Sequence, residues 1–374
     1  MDRRLFLGLV LASIGGPLAL VSFLPGAAGG AIANPGLVVV CGAAVFGVVL
    51  FIWLAFSERT ISAGGLSAFV EAAAGRRAAV VHGWVWAFAY FLYLPYTVTY
   101  AVYDLLPPIF PGLTAYRSSL ELVVPVLLVG VALGSMRAVV ASLGLVAAAQ
   151  VVLMLWLAGV EYQHLDVKLA AHVAPGDLGR GAGNTALLFI CASLPLYLAP
   201  ELAAQLRTMR RTLVGGVAVV ATALLASAIP LAAVPAGLAN AAVPGAAIAR
   251  AYSGRPLEIA VGLLTVLGTL ALILCEYLAL GRLLHWLHGR PVRTWLRWIA
   301  VPFVLADAVS LVNPDRFYSD LLKVSLVALF LSQLAVFLVF PRYRRGTVAL
   351  GAAAIASGVA LWGLYTVLFG ASAT

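Results

Sequence analysis

The sequence predicts an all-α integral membrane protein of about eleven transmembrane helices, built as two five-helix repeats of inverted topology with one helix added. Three observations carry this expectation. Of 374 residues, 63% are hydrophobic and 10% charged, with a mean hydropathy of +1.06. That is too little polar surface to cover a soluble domain of this size. Apolar runs recur along the chain, each long enough for a helix to cross a hydrocarbon core of roughly 30 Å. They span residues 5–27, 35–57, 79–106, 118–136, 138–160, 184–206, 213–237, 257–284, 296–313, 317–340 and 346–369. Finally, the first and sixth runs are interrupted at a similar depth, by Gly15-Gly16-Pro17 and by Ser193-Leu194-Pro195. Such paired breaks are what an inverted repeat predicts. Residues 1–374 therefore read as one transporter-like domain: 1–160 the first repeat, 184–340 the second, 346–369 the added helix.

The net charge of +9 is placed for topology and not for nucleic acid. With a cytoplasmic N-terminus, sixteen of the 23 Lys and Arg fall on the cytoplasmic side, from Arg3 and Arg4 through Arg345. The other seven are Arg117, Lys168, Arg180, Arg250, Arg255, Arg316 and Lys323. This positive-inside asymmetry predicts a multi-pass protein of the cell membrane with its C-terminus extracellular. Cys41, Cys191 and Cys275 each fall within a span and form neither a disulfide framework nor a metal spacing. Asp2-Arg3-Arg4, the apolar run after it and Ala31-Ile32-Ala33 have the outline of a cleaved signal. The run is longer than a signal core, so we read it as the first transmembrane helix.

Helix one carries its break ten residues in. Glycine visits conformations closed to other residues, and proline deletes an N–H while clashing with the turn before it. Inside a bilayer the freed backbone groups are tolerated only where they are buried in protein or line a polar cavity. Between helices two and three runs Gly64-Gly65-Leu66-Ser67-Ala68-Phe69-Val70-Glu71-Ala72-Ala73-Ala74-Gly75. Helix three bears Tyr90, Tyr93, Tyr96, Tyr100 and Tyr103 around Pro95, spaced so that most share one face. Tyr93 and Tyr96 suit a substrate wall; Tyr100 and Tyr103 suit the outer aromatic belt. Helix five contains no lysine.

The loop from Glu161 to Gly183 is the most polar stretch of the chain. Its Gly181-Ala182-Gly183 start fits a loose dinucleotide pattern but lacks the strand such a site needs, so we expect a flexible loop. Helix six is broken at Ser193 to Tyr197 and followed by Arg207, Arg210 and Arg211, which fix topology. Helix eight holds Thr265, Thr269 and Glu276, and helix nine holds Asp307. Ionisable residues at membrane depth are functional candidates by default. Glu276 and Asp307 are candidate proton carriers, unless Glu276 is paired with Arg282 or a hydroxyl. Thr265 and Thr269 leave a sodium site open. His285 and His288 read as solvated loop residues.

The 64–75 segment resembles the G-G-x-Y-x-Y-x-x-x-x-x-G segment of the amino acid–polyamine–organocation transporter superfamily, with Ser67 in place of a Tyr. Leu202 to Thr212 is similar to that superfamily's L-A-E-E-x-x-N-P-x-R-T tail, keeping the Leu-Ala and Arg-Thr ends. Ala12-Ser13-Ile14-Gly15-Gly16-Pro17 is similar to its x-x-I-G-S-G motif, and Ser193 to Tyr197 to its F-x-G-F-E segment. The resemblance implies a leucine-transporter-type fold and an amino acid permease working by alternating access. Substrate would lie between Ser13, Gly15, Gly16 and Pro17 on one break and Ser193, Leu194, Pro195 and Tyr197 on the other, walled by Tyr93 and Tyr96. Half-helix N-termini suit a carboxylate, and free carbonyls suit an ammonium or Na⁺. Such a site reads both ends of an amino acid or a related amine. The implied partners are that small molecule and the bilayer. We expect no cofactor beyond a coupling H⁺ or Na⁺, no metal centre and no catalytic residues. A substrate sensor of the same fold and a carrier for another organic cation are the alternatives. An intramembrane enzyme would need a catalytic set at membrane depth, and only His82, at the edge of helix three, comes near one.

Overall fold

In the computed structural model, residues 2–14, 34–170, 175–201 and 206–369 are described, and among them every regular element is helical. Asp2 caps α1 (Arg3–Ser13) by accepting from the Leu5 N–H at 2.9 Å. Asn34 does the same for α2 (Pro35–Phe56), where Pro35 occupies a first-turn position that needs no N–H. A short α3 (Leu66–Ala74) leads into α4 (Arg76–Tyr100). The fourth and fifth membrane elements of the first half are α5 (Arg117–Ala132) and α6 (Met136–Glu161). The second half runs α7 (Pro175–Leu188), a single turn α8 (Pro195–Leu198), α9 (Leu206–Ala228), α10 (Pro244–Ser253), α11 (Arg255–His288), α12 (Val292–Ser310) and α13 (Pro314–Tyr343). Helix α14 (Thr347–Phe369) follows.

Nine stretches among the described residues are long and apolar enough to span a bilayer. Large apolar side chains cover the outside: Leu145, Val152 and Trp156 on α6 are each more than 60% exposed. A surface of that kind is stable against lipid and not against water, so the chain is a multi-pass membrane protein. Helix α12 is long enough to span but carries Arg293, Arg297 and Asp307.

The packing pairs come in exchanged sets, as two inverted repeats require. Helix α2 packs on α7 just as α9 packs on α1, and α4 packs on α13 just as α11 packs on α6. The equivalents α2 and α9, α4 and α11, and α5 and α12 each pack on one another. Helices α1 and α6 meet backbone to backbone: a Cβ on Gly8 would lie 2.6 Å from the Gly144 Cα. Small residues allow this approach where lipid provides no hydrophobic drive between helices.

Several boundaries differ from the expected ones. The glycine-rich stretch before residue 184 is helical and forms the start of α7, not a loop. Its end packs on neighbours, Ala182 on α2 and Gly183 on Trp362 of α14, whose Nε1 donates to Asn184 at 2.9 Å. Helical pairing then satisfies the backbone there. Helix α9 begins at Leu206, so Arg207, Arg210 and Arg211 stand on its first turns, and Pro230 ends it early. The third span runs on from α4 through a π turn, Ala101–Leu105, to Ile109, past its expected end at 106.

Candidate functional site

Two interruptions define the centre. Helix α1 leaves helical geometry at Ile14, whose ψ is +43°. Gly15, Gly16 and Pro17 lie outside the described residues, as do Leu202 to Gln205 of the tail motif. Ser13 is fully buried and its hydroxyl donates to the Val10 carbonyl at 2.9 Å. The second interruption is described in full. Helix α7 ends at Leu188, and a tight 3₁₀ turn over Ile190–Ser193 follows, paired three residues apart through Ala192 N–H to Phe189 and Leu194 N–H to Cys191. Pro195, which has no N–H to donate, opens α8. The element is therefore tightened, not unwound. Ser193 turns its hydroxyl onto the Ile190 carbonyl at 3.1 Å. Helix α1 packs against both the 3₁₀ turn and α8.

Beside the second interruption lies a cavity of about 260 Å³. Tyr93, Tyr96 and Tyr100 of α4 form one wall, Ile190 and Cys191 the broken element's side, and Thr269 of α11 faces them. Tyr100, which we expected in the aromatic belt, belongs to this cavity and stacks on Tyr318 of α13 at 5.8 Å between ring centroids. Tyr103 instead lies against the Arg117 guanidinium, 5.5 Å from its ring centre. The tyrosines continue as a ladder away from the cavity: Tyr93 to Tyr90 at 6.4 Å, Tyr90 to Trp86 at 4.0 Å, Trp86 to Tyr197 at 4.2 Å.

Tyr197 is thus placed at the far end of the ladder and outside the cavity lining, along with Leu194 and Pro195, all three buried. There the 64–75 segment seals the bundle. Gly65 has φ +50°, a conformation that costs glycine nothing, and a Cβ on it would come within 2.6 Å of the Tyr197 ring. Ser67 meets His82 Nδ1 at 2.8 Å, and His82 Nε2 meets the Ser332 carbonyl at 3.0 Å. The carbonyl can only accept, so Nε2 carries the hydrogen and Ser67 donates to Nδ1. His82 is therefore a buried histidine with both nitrogens bonded.

Of the charged candidates, Glu276 is fully buried in α11, and neither carboxylate oxygen has a hydrogen-bond partner. It lies near Tyr90, Tyr93 and Cys191 and outside the cavity lining. The expected partner Arg282 pairs with Glu201 instead. Thr269 and Glu276 are two turns apart on one face of α11. The Thr265 and Thr269 hydroxyls donate back to the Val261 and Thr265 carbonyls at 2.8 and 3.0 Å, keeping their lone pairs free. Asp307 is also fully buried, in the last turn of α12. Sequence reasoning passed over Tyr318, Gln150 of α6, which packs into α11 at Gly268, and Glu121. Among the described residues, no group of three or more His, Cys, Asp or Glu could hold a metal ion.

No family model matches the sequence, and no curated protein matches it. Solved structures do resemble the chain. A crystal structure of MhsT in complex with L-phenylalanine matches with a TM-score of 0.61 at 15% identity, over 98% of this chain and 98% of that one. At that identity the likeness is one of fold, and it runs nearly end to end. The chain has the leucine-transporter-type fold.

Proposed function

We propose that this protein is a secondary transporter of the amino acid–polyamine–organocation type, carrying amino acids or related amines by alternating access. The observation that carries the reading is the cavity beside the broken α7–α8 element, walled by Tyr93 and Tyr96, with the unpartnered carboxylate of Glu276 nearby. A buried charge without a partner is costly. A substrate ammonium would relieve that cost, and tyrosine faces attract the same group. The substrate carboxylate would then face the backbone of the two breaks, with Ser13 and Ser193 at their edges. Ring-walled space of this size suits an aromatic or aliphatic side chain, in keeping with the L-phenylalanine that MhsT holds in its crystal structure. The same Glu276 favours an organic cation without a carboxylate as the second reading.

Thr265, Thr269, Glu276 and Asp307 are the coupling candidates, for Na⁺ at the threonines or H⁺ at the acids. We assign a carrier and not an enzyme, with the N-terminus cytoplasmic and the C-terminus outside.

Counterflow in proteoliposomes tests this. Vesicles loaded with unlabelled L-phenylalanine should accumulate external label saturably, with and without Na⁺ and at two pH values compared. Accumulation of labelled amines but not amino acids would shift the assignment to organic cations. Saturable binding without any counterflow would identify a sensor. Neither binding nor counterflow from folded protein would sink the reading.

A further inference from the structure

A second polar centre lies on another face of α4, where Thr99 meets Glu121 of α5 while Tyr96 and Tyr100 line the cavity. Glu121 of α5 is 0% exposed. Its Oε1 lies 2.5 Å from the Thr99 hydroxyl and 2.7 Å from that of Ser310 on α12. Ser310 also reaches the Asp307 carbonyl at 2.7 Å, and Asp307 is itself 0% exposed. Glu121 Oε2 and both oxygens of Asp307 have no hydrogen-bond partner, and Glu121 is the charged group that acts on Asp307. Among the described residues neither acid is in an ion pair. The nearest cation in sequence, Arg117, is turned to Tyr103.

Hydrogens and acceptors do not balance here. Thr99 and Ser310 hold one hydroxyl hydrogen each, and each also has a backbone carbonyl within reach, Pro95 for Thr99 and Asp307 for Ser310. Against those two hydrogens stand four carboxylate oxygens. The backbone adds to the excess. Pro125 lies one turn after Glu121 within α5 and has no N–H, so the Glu121 carbonyl loses its helical partner. Asp307 and Ser310 belong to the last turn of α12, where unpaired carbonyls give the helix end partial negative charge. Just after Thr99, α4 widens into the π turn Ala101–Leu105, a distortion frequent at functional sites. Oxygen is the only ligand type present, which is the donor set of a hard cation.

We propose that Glu121, Asp307, Thr99 and Ser310 form a binding site for a hard cation, held through oxygen, at the end of the bundle remote from the Gly64–Gly65 seal. The site is separate from the cavity and stands whether or not the chain transports. Melting of the full-length protein in detergent tests it, with Na⁺ and Ca²⁺ titrated separately against N-methylglucamine chloride at fixed pH and ionic strength. One of the two should raise Tm saturably, by roughly 3–8 °C. Glu121→Gln and Asp307→Asn should each abolish the rise, and without cation should melt no lower than wild type, because each removes an uncompensated charge. Ser310→Ala should shift the titration to higher concentration. A flat response of the wild-type protein to both cations overturns the proposal, whatever the variants do. So does a rise of equal size in both acid variants.

Discussion

The two ends of the α4 tyrosine face are built differently. At one end Trp86, Tyr197, Gly65, Ser67 and His82 are packed without space, and every polar atom of His82 is bonded. At the other, Tyr93, Tyr96, Tyr100 and Tyr318 stand around a cavity of about 260 Å³. The same residue type thus closes one end and lines space at the other. What distinguishes them is the backbone brought near the rings: a glycine at positive φ approaches Tyr197, while the 3₁₀ turn after Leu188 shares a cavity with Tyr93. The bundle is thus closed at Gly65 and leaves space at Tyr93.

The comparison can be broken most severely at the seal. Gly65→Ala combines a left-handed backbone with a methyl driven into the Tyr197 ring. It should destabilise the protein by about 2–4 kcal/mol, read as a loss of many degrees in Tm; a change within experimental scatter would mean the seal is loose. The open end is tested by Tyr93→Ala, which removes a ring from the cavity wall and should weaken substrate binding by about tenfold with little change in Tm. The same truncation at Tyr90, one step down the ladder, should lower Tm and leave binding less affected. Equal effects of the two on affinity would abolish the distinction between ladder and wall. The smallest effect is expected for Ser67→Ala, which leaves His82 Nδ1 without a donor and should cost about 1 kcal/mol, measured by denaturation against wild type.

Periodicity and local chemistry made much of this legible. The apolar runs mark the helices because length and hydropathy alone decide membrane crossing, and Pro195 marks the second break because a missing N–H acts on its own turn. The tyrosine spacing likewise places Tyr93 and Tyr96 on one face of a single helix. Contacts between distant residues were not legible. Glu121 lies three residues inside its expected span and carries no motif that singles it out; only the fold brings it to Ser310, 189 positions away. Arg282 was expected to reach one and a half turns up its own helix to Glu276, whereas the fold offers Glu201 from another element. The loop expected before residue 184 failed for a related reason. Glycine content argues for a loop in water, but a segment packed on α2 and α14 has only helical pairing to satisfy its backbone.

The Gly8–Gly144 contact has a mechanical consequence. Where helices touch through side chains, rotamer changes let one slide past the other in small steps. Here the chain backbones themselves abut, and no rotamer stands between them to absorb displacement. Helices α1 and α6 therefore either travel together or part completely, which makes this seam a two-position joint in any cycle that moves α1.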